Sequence, residues 1–428
     1  MKKIFTLIFS CLFSFTVFAV SAEEELFIRL ETENPLTPLS ILPFLNEQSK
    51  FSAEYIKSLE NIFLFDFDHN GMTLVNKKPK TTTTDSIHVV LKQDKLHAKI
   101  SNFQGEETTF GALNLTGSLS DDAYTIHSLS DKIHEKLFGI KGIASTKILY
   151  TKRTKEKNLS EVWESDYNGG NAHAVMNNAG YCVTPAYIPP APGRLTGSFI
   201  YVSYKSGQPK IYVASLKEGL GRMLFQLSGN QLMPSISRQR NRIAFINDAT
   251  GNPDLFIQDF DPEKGVSGKP RHLYTAPNAT QGTPSFSPEG ERIAFVSNKS
   301  GTERIYVLKI PPIGTPLNKI HAQLISKFTT GNTAPAWSPD GSKIAYCAKA
   351  GNFRQIMIYD FSNGTERQLT NGPGNKENPA WAPNSFHLVY NTTDSADSEL
   401  YLINLKQAEP IKISSGPGEK RFPSWEPR

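Results

Sequence analysis

The chain has 428 residues, with 46 Lys and Arg against 41 Asp and Glu for a net charge of +5, 38% hydrophobic residues and 20% charged ones. That length exceeds one ordinary core, so two or three domains or a repeat array are expected. The composition is that of a globular chain rather than a disordered or membrane-embedded one, and no basic block points to nucleic acid.

Lys2 and Lys3 open the chain, Ile4 to Val20 is mostly apolar, and Val20-Ser21-Ala22 puts a small residue at a cleavage point. Residues 1–22 therefore read as a secretion signal cut after Ala22. Glu23-Glu24-Glu25 follows at once, a poor flank for a retained anchor. A lipoprotein reading at Cys11 is the lesser alternative, because only seven residues separate it from the lysines. No other stretch approaches the ~20 apolar residues that span a bilayer. Export leaves two cysteines, Cys182 and Cys347, which are 165 positions apart. Exported domains often use disulfides, but two distant cysteines in a large chain read better as buried free thiols.

Residues 23–144 mix strands and helices. Strands are expected at 26–31, 39–44, 87–92 and 95–103. "SAEYIKSLENI" (52–62) has apolar residues at 53, 56, 59 and 62, a helical spacing with Ser52 as cap. A second helix is expected where apolar residues fall at 123, 126, 129, 133 and 137, capped by Asp121 and ended by Gly139. "DFDHNG" (66–71) resembles the start of a calcium loop, but the twelfth position is Lys77 where a bidentate Glu is needed. It reads as a hairpin turn between "IFLF" and "MTLV". "KPKTTTT" (78–84) reads as a surface loop, and His127 and His134, seven apart on one helix face, as packing residues rather than ligands.

From residue 145 the chain repeats. A proline-aromatic motif begins at Pro185, Pro234, Pro284, Pro335, Pro379 and Pro423, at spacings of 49, 50, 51, 44 and 44. After each comes a β-type run such as "IAFV", a turn such as "NKSGTE", a second run such as "RIYVLKI" and a short fourth segment. In "SPDG" and "SPEG", Pro favours the first corner of a tight turn and Gly its positive φ. A period near 45 with four strands per unit defines propeller blades. The last copy, "PSWEPR", supplies a first strand with nothing after it, whereas "KILY" (147–150), "EVWESDY" (161–167) and "HAVMN" (173–177) supply three strands with no first. Joined, they make a sixth blade, and about 283 residues over six blades give about 47 each. The expected fold is an α/β N-terminal domain (23–144) followed by an all-β six-bladed β-propeller (145–428) of four-stranded blades, closed by the C-terminal strand.

The junction "IHSLSDKIHEKLFGIKGIASTKILY" (126–150), followed by this repeat, resembles the TolB family of the Tol–Pal system. The order of signal, α/β domain, "EKLFGIKG" junction, propeller and terminal P-x-W strand is that of the family. The resemblance implies a monomeric, non-enzymatic periplasmic adaptor without cofactor or metal, peripheral to membranes. Its propeller is expected to bind Pal, the peptidoglycan-associated lipoprotein. Its N-terminal segment, here "EEELFIRLETE" from Glu23, Glu24, Glu25, Leu26, Phe27 and Ile28 to Glu33, is expected to bind the inner-membrane protein TolA and to switch between docked and exposed states. Matching the family's motif positions before each proline gives the expected Pal rim: Asn230, Gln231, Met233, Gln281, Thr283, Asn332, Thr333, Lys376, Glu377, Asn378, Lys420 and Arg421. The set is polar and mixed in charge with apolar Met233 and Phe422, a composition that suits a protein interface. The chain departs from the family around Asp122-Ala123, where an arginine is expected, at "KPKTTTT", where another helix is, and in blades two and three, where the "WSPDG" signature is largely lost. The alternative function is a propeller hydrolase or lactonase. It needs several converging carboxylates or histidines, and the rim carries only Glu377 and Glu419. No G-x-S-x-G or P-loop pattern occurs.

Overall fold

Ser52 accepts a hydrogen bond from the Tyr55 N–H at 3.2 Å and starts helix α1, Ala53–Asp68. The protein, described by a computed structural model at residues 36–76, 84–154, 159–177, 180–393, 398–407 and 409–428, departs here from the sequence expectation. The aromatic run "IFLF" is not a strand but the later turns of α1, because Leu59, Phe63 and Phe67 continue the helical period and are buried together. "DFDHNG" is consequently the end of α1 and its exit turn, in which Asn70 Oδ1 accepts from the N–H groups of Met72 (2.8 Å) and Thr73 (3.0 Å).

The strands β1 (Thr37–Ile41), β2 (Leu45–Glu47), β3 (Thr73–Asn76), β4 (Asp85–Lys92), β5 (Lys95–Ser101) and β6 (Glu107–Asn114) form one mixed sheet in the order β3-β1-β4-β5-β6, with β2 also on β4. β3 runs parallel to β1, so "MTLV" closes no hairpin with the segment before it. β6 was not expected from the sequence; its side chains are mostly exposed and show little period-2 signal. Helix α2 (Leu119–Phe138) begins after Ser118 rather than at Asp121 and ends at Gly139, whose φ is +71°. Both helices lie against the sheet over a core that includes Leu39, Ile87, Val89, Leu91, Phe63, Ile126 and Ile133.

The remaining residues form six four-stranded antiparallel sheets. Blade 1 consists of Glu419–Trp425, then β7 (Lys147–Thr154), β8 (Leu159–Asp166) and β9 (His173–Met176), as the joined-ends reading requires. Blades 2 to 6 occupy 182–223, 231–274, 281–324, 330–368 and 376–412. Their second strands are apolar on both faces, since each is packed between neighbouring blades. The turn chemistry holds where the signature survives: Gly341 has φ +76°, and its N–H reaches the Ser338 carbonyl at 2.9 Å. In blade 3, where it is lost, Arg240 takes the same place with φ +62°.

The leader, the 23–33 segment, the strand expected at 26–31 and most of the 78–84 loop lie outside the described residues. Among the described residues no helix is long and apolar enough to cross a membrane. Cys182 and Cys347 are free and buried, and burial pushes both thiols up to about 12, which leaves them protonated and inert near neutral pH.

Candidate functional site

Every inner strand carries the same irregularity. The residue just before each motif proline has positive φ: Thr184 (50°), Met233 (51°), Thr283 (36°), Ala334 (50°), Asn378 (54°) and Phe422 (54°). At each of these positions the pairing with the second strand slips by one residue, as a β-bulge does. The bulge explains why a proline sits there six times. Its missing N–H falls where the ladder is already interrupted.

The bulge sorts the expected rim residues into two sets. In blades 3 to 6 and 1 the third residue before the proline is buried: Gln231 (0% exposed), Gln281 (4%), Asn332 (0%), Lys376 (6%) and Lys420 (1%). These five are not presented at the surface; they hold the incoming loop from below. Lys376 Nζ donates to the carbonyls of Gly372 (3.0 Å), Pro373 (2.6 Å) and Gly374 (2.8 Å). Lys420 Nζ donates to the Gly416 carbonyl and pairs with Glu399 at 3.1 Å. Gln231 reaches the Leu227 carbonyl at 3.2 Å and Asn332 the Thr329 carbonyl at 3.3 Å.

The next two residues of each blade are half-exposed and ring the mouth of the channel: Met233, Thr283, Thr333, Glu377, Asn378 and Arg421 of the expected set, with Ala334 and Phe422 beside them. Asn230, also half-exposed, is tied to Asp248 at 2.6 Å. Charges on this ring are paired within it. Glu377 lies 3.4 Å from Arg354, which also donates to Thr333 Oγ1 at 3.0 Å, and Arg421 lies 3.2 Å from Glu419. Asn391 Oδ1 accepts from Asn378 Nδ2 (2.9 Å) and the Phe422 N–H (3.1 Å). Arg354 and Asn391 went unrecognised in the sequence. Both sit near the hairpin joining second and third strands, which shares a face with the rim, so blade geometry alone identifies them.

The opposite face carries the α/β region. The described residues from 36 onward form one unit, and the contacts across it come from the hairpins at the far end of blades 6 and 1. His387 Nε2 donates to the His69 carbonyl at 2.8 Å, and Tyr167 O–H to Asp66 Oδ1 at 2.8 Å. Asp131 on α2 accepts from the N–H groups of Ala144 (2.7 Å) and Ser145 (3.0 Å). A Cβ on Gly142 would meet Asp131 Oδ1 at 2.2 Å, so the "EKLFGIKG" junction needs glycine there.

A closed ring of six four-stranded blades, open at one mouth and joined at the other end to a mixed-sheet α/β region, defines a six-bladed β-propeller protein of two-part architecture. Residues 134–428 match the family model described as the TolB beta propeller domain. The chain is 50% identical over 401 residues to a protein TolB homolog of Protochlamydia amoebophila, covering 87% of this chain and 86% of that one. It is 37% identical over 374 residues to a protein TolB homolog of Chlamydia caviae, covering 85% of each. The crystal structure of TolB from Acinetobacter baumannii superposes with a TM-score of 0.76 at 21% identity, covering 92% of this chain and 98% of that one, and shares the fold. The chain belongs to the TolB family.

Proposed function

We propose that the protein is a periplasmic adaptor of the Tol–Pal cell-envelope system, exported by its leader and acting as a monomer. The half-exposed rim binds the lipoprotein Pal, and the segment from Glu23 to Glu33 binds TolA. Through these contacts the protein maintains outer-membrane integrity and supports envelope constriction at division. The observation that carries this reading is the rim itself. It is a ring of threonine, asparagine, methionine and phenylalanine side chains with internally paired charges, on the face away from the α/β region, in a chain of this family. Such a mixed surface suits a protein partner. The adaptor role involves no catalysis, and both rim carboxylates are already paired with arginines.

The test is capture from envelope extract with residues 23–428 as bait, alongside Thr333→Arg and a form lacking residues 23–33. The bait should retain a peptidoglycan-associated lipoprotein and an inner-membrane partner. Thr333→Arg should lose the first alone and the truncation the second alone. Failure of every form to retain the lipoprotein would overturn the reading.

A further inference from the structure

Four of the nine histidines gather where the α/β region meets the propeller: His69, His127, His134 and His387. A cavity of about 20 Å³ lies beside two of them, His134 and His387, and is lined also by Asp66, Asn70, Ser130 and Asp131. His387, on the second strand of blade 6, is 1% exposed and held as the neutral ring. Its Nδ1 accepts from Asn384 Nδ2 at 3.0 Å while its Nε2 donates across the seam to the carbonyl of His69, the residue that ends α1. His134 donates from Nδ1 to the Ile140 carbonyl at 3.0 Å.

A second proton on His387 has nowhere favourable to go. Asn384 already occupies Nδ1, so a proton there would face the amide's own N–H. The groups facing the ring are, from α1, His69 and Asp66; from α2, His134 and Asp131; from blade 1, Tyr167; and from blade 6, Asn384. Both carboxylates are committed. Asp66 accepts from His127 and Tyr167, and Asp131 from Ala144, Ser145 and Arg428. The other facing titratable rings, His69 and His134, add repulsion to a charge on His387.

We propose that this seam is an acid-operated release, in which protonation of His387, helped by His134, parts the α/β region from blade 6 while both parts stay folded. Burial pushes His387 down to about 4 and lowers His134 and His69 as well. A released ring titrates near its ordinary value. Below about pH 6.5 the released state therefore binds protons that the docked state refuses, and docking weakens as pH falls toward 4. For His387 alone the docking constant falls by about fortyfold between pH 6.5 and 4.5. His127 has the opposite sign. Burial opposes its charge, but Asp66 raises it above the ordinary value, so the bond between α1 and α2 is fully present at acid pH. The α/β region thus keeps its helices together under the conditions that loosen its dock.

The experiment uses the full exported chain with Lys50→Cys and Lys264→Cys carrying a donor and an acceptor dye, on exposed positions of the two parts. Transfer efficiency is followed from pH 7.5 to 4.5 together with tryptophan fluorescence, three of the four tryptophans being buried in the propeller. Transfer should change with a midpoint between pH 4 and 6.5 while the tryptophan signal holds. His387→Gln, which keeps an N–H donor and cannot charge, should abolish most of the change; His134→Gln, the second variant should the first not fold, should shift its midpoint to lower pH. A flat transfer signal, a change that coincides with loss of the tryptophan signal, or identical transitions in the variants would overturn the proposal.

Discussion

Arg240 occupies the left-handed corner (φ +62°) that Gly341 fills in blade 5, and its Nε is buried without a partner among the described residues. A β-carbon in that region costs on the order of 1 kcal/mol, which glycine avoids. Arg240→Gly should therefore raise the unfolding free energy by about 1 kcal/mol, read as a higher denaturant midpoint at unchanged slope. Residues of this kind mark the limit of a motif-based reading. The loss of the signature in "PSISRQR" was visible, but that the turn persists without its glycine was not. Lys376 and Lys420 show the same limit from the other side. Adjacent to a proline motif they look like rim charges, yet the bulge turns them inward under "GPGNK" and "GPGEK". That pentapeptide pattern, a lysine beneath glycine carbonyls, was the signal in the sequence.

At the scale of elements, the start of α2 is anchored not by a cap at Asp121 but by Asp122, inside the helix. Its carboxylate accepts from the N–H groups of Thr116 (3.0 Å) and Gly117 (2.9 Å) and from the Tyr55 hydroxyl, so it ties the entry to α2 onto α1. At 1% exposure it is inside, not at the solvent end of a helix. Asp122→Ala takes the acceptor from two N–H groups and a half-buried hydroxyl and should cost about 1–3 kcal/mol by chemical denaturation. Asp122→Asn, which keeps an acceptor, should cost less. Helices α1 and α2 and the strands β4 and β5 were legible because their apolar periods are long and regular. The end of α1 was not, since consecutive Phe-Leu-Phe reads as a strand until the sheet is known to be covered by that helix. β6 left no trace because its side chains face solvent along most of its length.

For the whole molecule the decisive fact is that the chain's last strand belongs to its first blade. Arg421 pairs with Thr151, Ser424 with Leu149 and Trp425 with Ile148, more than 260 residues away in sequence. This closure was readable from the repeat alone, because a lone first strand at one end matched three strands without a first at the other. The structure adds how firmly the ends are joined. Trp425 is 5% exposed with its Nε1 on Thr146 Oγ1 at 2.8 Å, Ser424 Oγ accepts from the Tyr187 N–H of blade 2 at 3.3 Å, and Arg428 reaches Ser145 Oγ at 2.8 Å. Deleting residues 421–428 removes about 2–3 kcal/mol of tryptophan burial and several main-chain hydrogen bonds of about 1 kcal/mol each. It also leaves β7 as an unpaired edge, the kind of edge that recruits other chains. The truncated protein should melt at lower temperature and scatter light on standing. Trp425→Ala, which keeps the strand and loses only the ring, should melt lower without aggregating as readily. If the truncated protein melts and behaves like the full chain, the terminal strand does not close the ring. Because the closing pairs are so distant in sequence, their formation carries a large loop-closure cost, and the full chain should fold slowly with the terminal strand joining late.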